Sequence, residues 1–160
     1  MAQEIERKFL VVSDSWRSQV SRSTHYRQGY LNDLDQGGKC SVRVRTSDGH
    51  AYLNIKGATL GISRQEFEFP IPQRDADAIL NQFALGACID KTRHFVEFAG
   101  HTWEIDVFEG DNAGLVVAEI ELQSVDENFS RPDWLGAEVS DDPRYYNVCL
   151  VKHPFRKWSS

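Results

Sequence analysis

Apolar and charged residues alternate one for one along most of this chain, the spacing of a β-strand whose successive side chains point to opposite faces. In Glu4-Ile5-Glu6-Arg7-Lys8-Phe9, Glu4, Glu6 and Lys8 share one face, while Ile5 and Phe9 share the other. Arg43 and Arg45 oppose Val42 and Val44, and Asn54 and Lys56 oppose Leu53 and Ile55. Arg64, Glu66 and Glu68 alternate with Phe67 and Phe69. Lys91 and Arg93 alternate with Thr92 and His94, Glu104 and Asp106 with Trp103, Ile105 and Val107, and Glu119 and Glu121 with Ala118, Ile120 and Leu122. With a softer run from Tyr26 to Leu31, about eight strands are expected. Turn residues separate them at Gly37-Gly38, Asp48-Gly49, Gly57, Gly61, Gly100 and Gly110-Asp111-Asn112, so the sheet should be antiparallel.

Two stretches change to helical spacing. One runs from Asp75 to Leu85, with Ile79, Leu80 and Phe83 on one side and Gly86 as a stop; the other runs from Asp142 to Val151, with Pro143 near its start. A weaker one covers Ser13 to Gln19. The fold expected is α+β, a single domain over residues 1–160 in which an eight-stranded antiparallel barrel closes around a charged interior and helices cover its outside.

The charges are sorted rather than scattered. Acidic pairs fall on three strands (Glu4 and Glu6, Glu104 and Asp106, Glu119 and Glu121) and basic pairs on two (Arg43 and Arg45, Lys91 and Arg93). An ordinary solvated face mixes its charges with Ser and Thr. Burying so many ions costs several kcal/mol each unless partners neutralise them, and a highly charged ligand with metal ions would do so. An outer-membrane barrel also alternates, but its strands need about 9 to 11 residues. These runs are shorter, and no signal peptide precedes them.

Composition narrows the partners. Asp and Glu number 24 against 18 Lys and Arg, a net charge of -6 over 160 residues, which argues against nucleic acid or anionic lipid held by bulk electrostatics. Cys40, Cys88 and Cys149 are widely spaced and suit reduced thiols in the cytoplasm. No apolar run approaches a membrane span. The five histidines (His25, His50, His94, His101, His153) lie far apart and suit surface or packing roles, and the four tryptophans suit the core.

Seven bases on the expected inward faces (Lys8, Arg43, Arg45, Lys56, Arg64, Lys91, Arg93) can hold several phosphates in a row, since guanidinium groups fork onto phosphate oxygens. Carboxylates spaced i, i+2 on neighbouring strands offer oxygen ligands to a hard divalent cation, Mg²⁺ or Mn²⁺. Histidine and cysteine are absent from these positions, which disfavours zinc there. The pattern describes a site for a metal polyphosphate.

These residues also carry a family resemblance. Glu4-Ile5-Glu6-Arg7-Lys8 is similar to the N-terminal E-x-E-x-K signature of the CYTH superfamily, the triphosphate tunnel metalloenzymes. Arg27-Gln28-Gly29-Tyr30-Leu31, Val42 to Arg45, Asn54-Ile55-Lys56, Ser63 to Glu68, Lys91-Thr92-Arg93, Glu104 to Phe108 and Glu119-Ile120-Glu121 resemble its later strand motifs in order. So do Trp134 to Val139 and Arg144-Tyr145-Tyr146-Asn147. The resemblance is nearest to the short bacterial members, and it implies metal-dependent hydrolysis of inorganic triphosphate to pyrophosphate and phosphate.

Carried over by position, Lys8, Arg43, Arg45, Lys56, Lys91 and Arg93 would hold phosphates, and Glu4, Glu6, Glu119 and Glu121 would hold metal. Lys8 would polarise the bound phosphate. Tyr30 matches a position assigned as a proton acceptor, with packing at the tunnel rim as the equal alternative. Glu66, Glu68 and Asp106 would either orient the bases or touch metal. Other activities compatible with the same tunnel are a class IV-like adenylate cyclase, a thiamine or nucleoside triphosphatase, and a non-catalytic polyphosphate-binding module. Exposed strand edges of an open barrel would suit a homodimer.

Overall fold

A computed structural model describes residues 2–33, 37–58 and 62–158. The expected turn at Gly61 lies outside the described residues. The strands are β1 (Ala2–Val11), β2 (Val20–Tyr30), β3 (Cys40–Ser47), β4 (His50–Gly57), β5 (Ser63–Ile71), β6 (Ile89–Phe98), β7 (His101–Phe108), β8 (Val116–Glu121) and β9 (Leu135–Glu138). The helices are α1 (Gln73–Phe83) and α2 (Asn147–Lys152). All pairings are antiparallel, and the sheet runs β5-β4-β3-β2-β6-β7-β8-β1-β9, with β5 also paired to β1. That pairing closes the first eight strands into a barrel.

β1 makes the seam. One of its edges meets β8, where Lys8 faces Glu119, and its other edge is divided. The first residues pair with β5, Glu4 opposite Arg64, while the far end pairs with β9 through Phe9↔Glu138 and Val11↔Leu135. β9 is a strand beyond the eight expected. It is short, and its Gly136 is dictated by crowding: a Cβ there would stand 2.8 Å from Val12 Cγ1 and 3.1 Å from the Leu10 carbonyl oxygen.

The hairpins follow their turn chemistry. Ser47 pairs with His50 across Asp48 and Gly49, whose φ values of 49° and 82° are the paired positive angles of a type I′ turn. β2 begins at Val20, six residues before the softer run implied. The expected helix from 75 to 85 lies two residues earlier, and the weaker one at Ser13–Gln19 is a 3₁₀ turn over Ser15–Gln19. The helix expected over 142–151 is broken. Asp142 accepts from the Arg144 backbone N–H to start a 3₁₀ turn at Pro143–Tyr145, Tyr146 is extended (ψ 135°), and α2 starts only at Asn147.

Apolar packing divides the barrel wall. Outside β1, β6, β7 and β8, Phe9, Trp103, Ile105 and Ile120 are buried under Trp16 and Trp134, with Trp103 edge-on to Phe9 at 5.7 Å and to Trp134 at 5.5 Å. α1 covers β3 and β4 through Ala76 and Leu80 on Val44 and Ala51. A Cβ on Gly29 would come within 2.8 Å of Leu80 Cδ2, so this glycine admits the helix. Cover stops there. Phe67 and Phe69 on β5 remain 40% and 50% exposed, and Phe83 of α1, expected on its buried side, is 63% exposed.

The inward faces change character along their length. Leu10 follows Lys8, Phe108 follows Asp106, Ile89 precedes Lys91 and Val117 precedes Glu119, all at inward parity. Ile89, Phe108 and Val117 pack with Leu115, Tyr145 and Leu150, and Leu10 rests against them. One end of the barrel is therefore plugged by apolar side chains and the C-terminal segment. The other end holds the exposed Glu68 and Glu121.

Candidate active site

Alternation aims the charged residues of the closed barrel into its interior, where they line two adjacent hollows. The larger, about 160 Å³, is bounded by Glu4, Glu6, Glu119 and Glu121, by Arg43, Arg45, Lys56 and Arg93, and by Glu66, Glu68, Glu104 and Asn147. The smaller, about 50 Å³, lies toward the plug and takes in Lys8, Tyr30, Ser41, Arg64, Ser140 and Tyr146. Glu6, Arg43, Lys56 and Asn147 border both.

The charges form two groups. In the first, each ion is matched. Asp106 is fully buried and accepts from Arg93 Nε at 2.7 Å, Arg93 Nη2 at 2.9 Å and Lys91 Nζ at 2.8 Å. Burial pushes its carboxyl up, but Arg93 and then Lys91 outweigh that and hold it at about 2. Glu119, against burial, is also held well below the ordinary range, by Lys8, Arg93 and Lys91, with Lys8 Nζ at 3.4 Å and Arg93 Nη2 at 3.8 Å.

In the second group the carboxylates outnumber their cations. Burial, with Glu119 beside it, lifts Glu6 to about 8. Glu4, Glu104 and Glu121 are raised as well, burial being the first cause in each. Lys56 is their main counter-charge, 2.9 Å from Glu4 and 3.3 Å from Glu66. Such a set is complementary to a cation that adds charge without adding bulk.

The described chain matches the CYTH domain model over residues 2–146. This chain belongs to the CYTH domain family. It is 45% identical to an inorganic triphosphatase of Acetivibrio thermocellus over 159 residues, 99% of each chain. It is 33% identical to an inorganic triphosphatase of Nitrosomonas europaea, over 92% of this chain and 96% of that one. The crystal structure of the inorganic triphosphatase NE1496 superposes with a TM-score of 0.67 at 31% identity, covering 94% of this chain and 95% of that one.

Within this CYTH barrel most of the expected site residues meet. Glu4, Glu6, Lys8, Tyr30, Arg43, Arg45, Lys56, Arg64, Glu66, Glu68, Arg93, Glu119 and Glu121 all border one hollow or the other. Lys91 and Asp106 do not. Both are fully buried inside the barrel, toward the plug, Lys91 bonded to Asp106 and, at 3.2 Å, to Asn147 Oδ1, its Nζ 5.4 Å from the ring of the plug residue Phe108 and so inside the barrel rather than outside its wall, and burial draws its ammonium down to about 7 against the pull of Asp106. Glu68 accepts from Asn54 Nδ2 at 2.8 Å, and Arg43 donates from Nε to Asn54 Oδ1 at 3.4 Å, so this acid orients a base through an amide.

Five lining residues carried no expected role: Ser41, Ser140, Tyr146, Asn147 and Val148. Ser41 shares the inward parity of Arg43 and Arg45, which was signal enough. Tyr146 reaches the hollow because its extended backbone interrupts the helix; its hydroxyl donates to the Ser140 carbonyl at 2.8 Å, and its ring lies 5.8 Å from Lys8 Nζ and 5.3 Å from the Arg64 guanidinium.

Proposed function

We propose that this CYTH barrel hydrolyses inorganic triphosphate to pyrophosphate and orthophosphate with Mg²⁺ or Mn²⁺ as cofactor. One observation carries the choice of substrate: every residue lining the larger hollow is charged except Asn147. Such a surface binds phosphoryl groups and offers no apolar face to a nucleobase or a thiazolium ring.

Arg43, Arg45, Lys56 and Arg93 hold the phosphate oxygens along the larger hollow, and Lys8 and Arg64 hold the terminal phosphoryl group toward the plug. Lys91 supports Arg93 from behind through Asp106. Glu4, Glu6, Glu119 and Glu121 would hold the metal, and the uncompensated state of three of them fits a hard divalent ion. A cation bound there would neutralise charge developing on the phosphate oxygens. Lys8 Nζ, anchored at 3.0 Å on the Tyr145 carbonyl, is placed to polarise the phosphoryl group. Tyr30, buried in the smaller hollow, would as the phenolate take the proton of the attacking water at its Oη and become the neutral phenol. No disulfide joins Cys40, Cys88 or Cys149 among the described residues, which supports a reducing, cytoplasmic setting.

The test is orthophosphate release from triphosphate, pyrophosphate, ATP and thiamine triphosphate with each metal. Release from triphosphate above the others is expected. Folded protein that releases none with either ion overturns the proposal; preference for ATP or thiamine triphosphate, or formation of cyclic AMP, replaces it with the corresponding activity.

A further inference from the structure

On the outer wall of the barrel, three side chains meet that the tunnel does not use: His25 of β2, Asp90 of β6 and Glu109, just after β7. Their neighbours Tyr26 and Lys91 point inward, Tyr26 lying under the Arg45 guanidinium at 4.4 Å, so alternation turns His25 and Asp90 outward. The His25 Nε2 already rests on Asp90 Oδ1. Glu109 is tied into the same place by its backbone N–H, which donates to the Asp90 carbonyl at 2.9 Å. Its carboxylate has no partner among the described residues. Arg27, opposite Asp90 in the strand register, gives its Nη2 to Asn81 on α1 instead.

One imidazole nitrogen and two carboxylate oxygens thus lie within 4.8 Å of one another. Ligands at about 2.1 Å from one ion stand at most about 4.2 Å apart, a difference that side chains exposed to solvent close by turning. We propose that His25, Asp90 and Glu109 form a second divalent-cation site outside the tunnel, selective for a borderline ion such as Zn²⁺ or Co²⁺. The imidazole sets the selectivity, because the tunnel offers oxygen alone and suits harder ions. Water completes the coordination. Because the ligands come from three segments, the ion would tie β2, β6 and the end of β7 together and stabilise the folded barrel by mass action.

The test uses Co²⁺ alone, titrated into the E4Q/E121Q protein so that the tunnel set is weakened, with binding read by calorimetry and by the visible Co²⁺ spectrum. Retained binding is expected, weakened about tenfold or more by adding H25A and, separately, by adding E109Q. H25A alone should leave triphosphate hydrolysis unchanged. The proposal is overturned if E4Q/E121Q binds no Co²⁺, or if its binding is the same with and without H25A and E109Q.

Discussion

Two carboxylates at diagonal positions on adjacent strands of the barrel meet opposite electrostatic fates. Glu119, between Lys8 and Arg93, is held well below the ordinary range, while Glu6, whose neighbours include Glu119 itself, is lifted to about 8. The same contrast separates whole groups: Asp106 with Arg93 and Lys91 is a closed set, whereas Glu4, Glu6 and Glu121 form an open one. A buried ion matched by the protein itself is part of the scaffold. A buried ion left unmatched is a demand on whatever enters.

The sharpest way to break the contrast is D106N, which keeps shape and removes the charge that serves two buried cations. It should destabilise the protein by about 3–5 kcal/mol in urea unfolding; a loss below about 1 kcal/mol would mean that the closed set does not support the fold. In the open set the sign should differ. E121Q is expected to lower triphosphate hydrolysis about a hundredfold, as loss of a metal ligand would, while the metal-free protein keeps or slightly raises its melting temperature. A stability loss like that of D106N would erase the distinction.

Acid titration is the next test. The carboxyl of Asp106 falls from its ordinary 3.8 to about 2 on folding, so its stabilisation is fully present above pH ~4 and is lost as pH falls through 2. The loss amounts to about 2 kcal/mol, and D106N should flatten the stability curve in that window. The smallest effect is expected at Glu104, which belongs partly to each group: it is raised by burial yet lies 2.8 Å from Arg93 Nη1. E104Q should cost no more than about 1 kcal/mol, because Asp106 keeps Arg93 in place; a larger loss in thermal unfolding would move Glu104 into the closed set.

The sequence made the barrel wall legible because alternation and charge coincide on seven strands, and closure then forces Glu4, Lys8, Arg43, Lys56, Arg93 and Glu119 into one interior whatever the loops do. Other features depend on contacts that no local pattern encodes. β9 exists because β5 occupies only part of the β1 edge, and Leu135-Gly136-Ala137-Glu138 has no alternation to announce it. Tyr146 and Asn147 enter the site only because an extended residue breaks a helical stretch. Lys91 shares the parity of Arg93, yet depth along the barrel places it beside Phe108 at the plug, beyond the hollows. The plug was within reach, since Leu10, Ile89, Phe108 and Val117 sit at charged-face parity, but apolar residues in strands are so common that a change of face passes unnoticed.

Among the described residues, that plug makes the barrel one-sided: Tyr145 and Leu150 back its apolar end, while Glu68 and Glu121 stand exposed at the other. A triphosphate entering past those two carboxylates would meet the plug as a back wall, and its products would then leave by the route the next substrate needs.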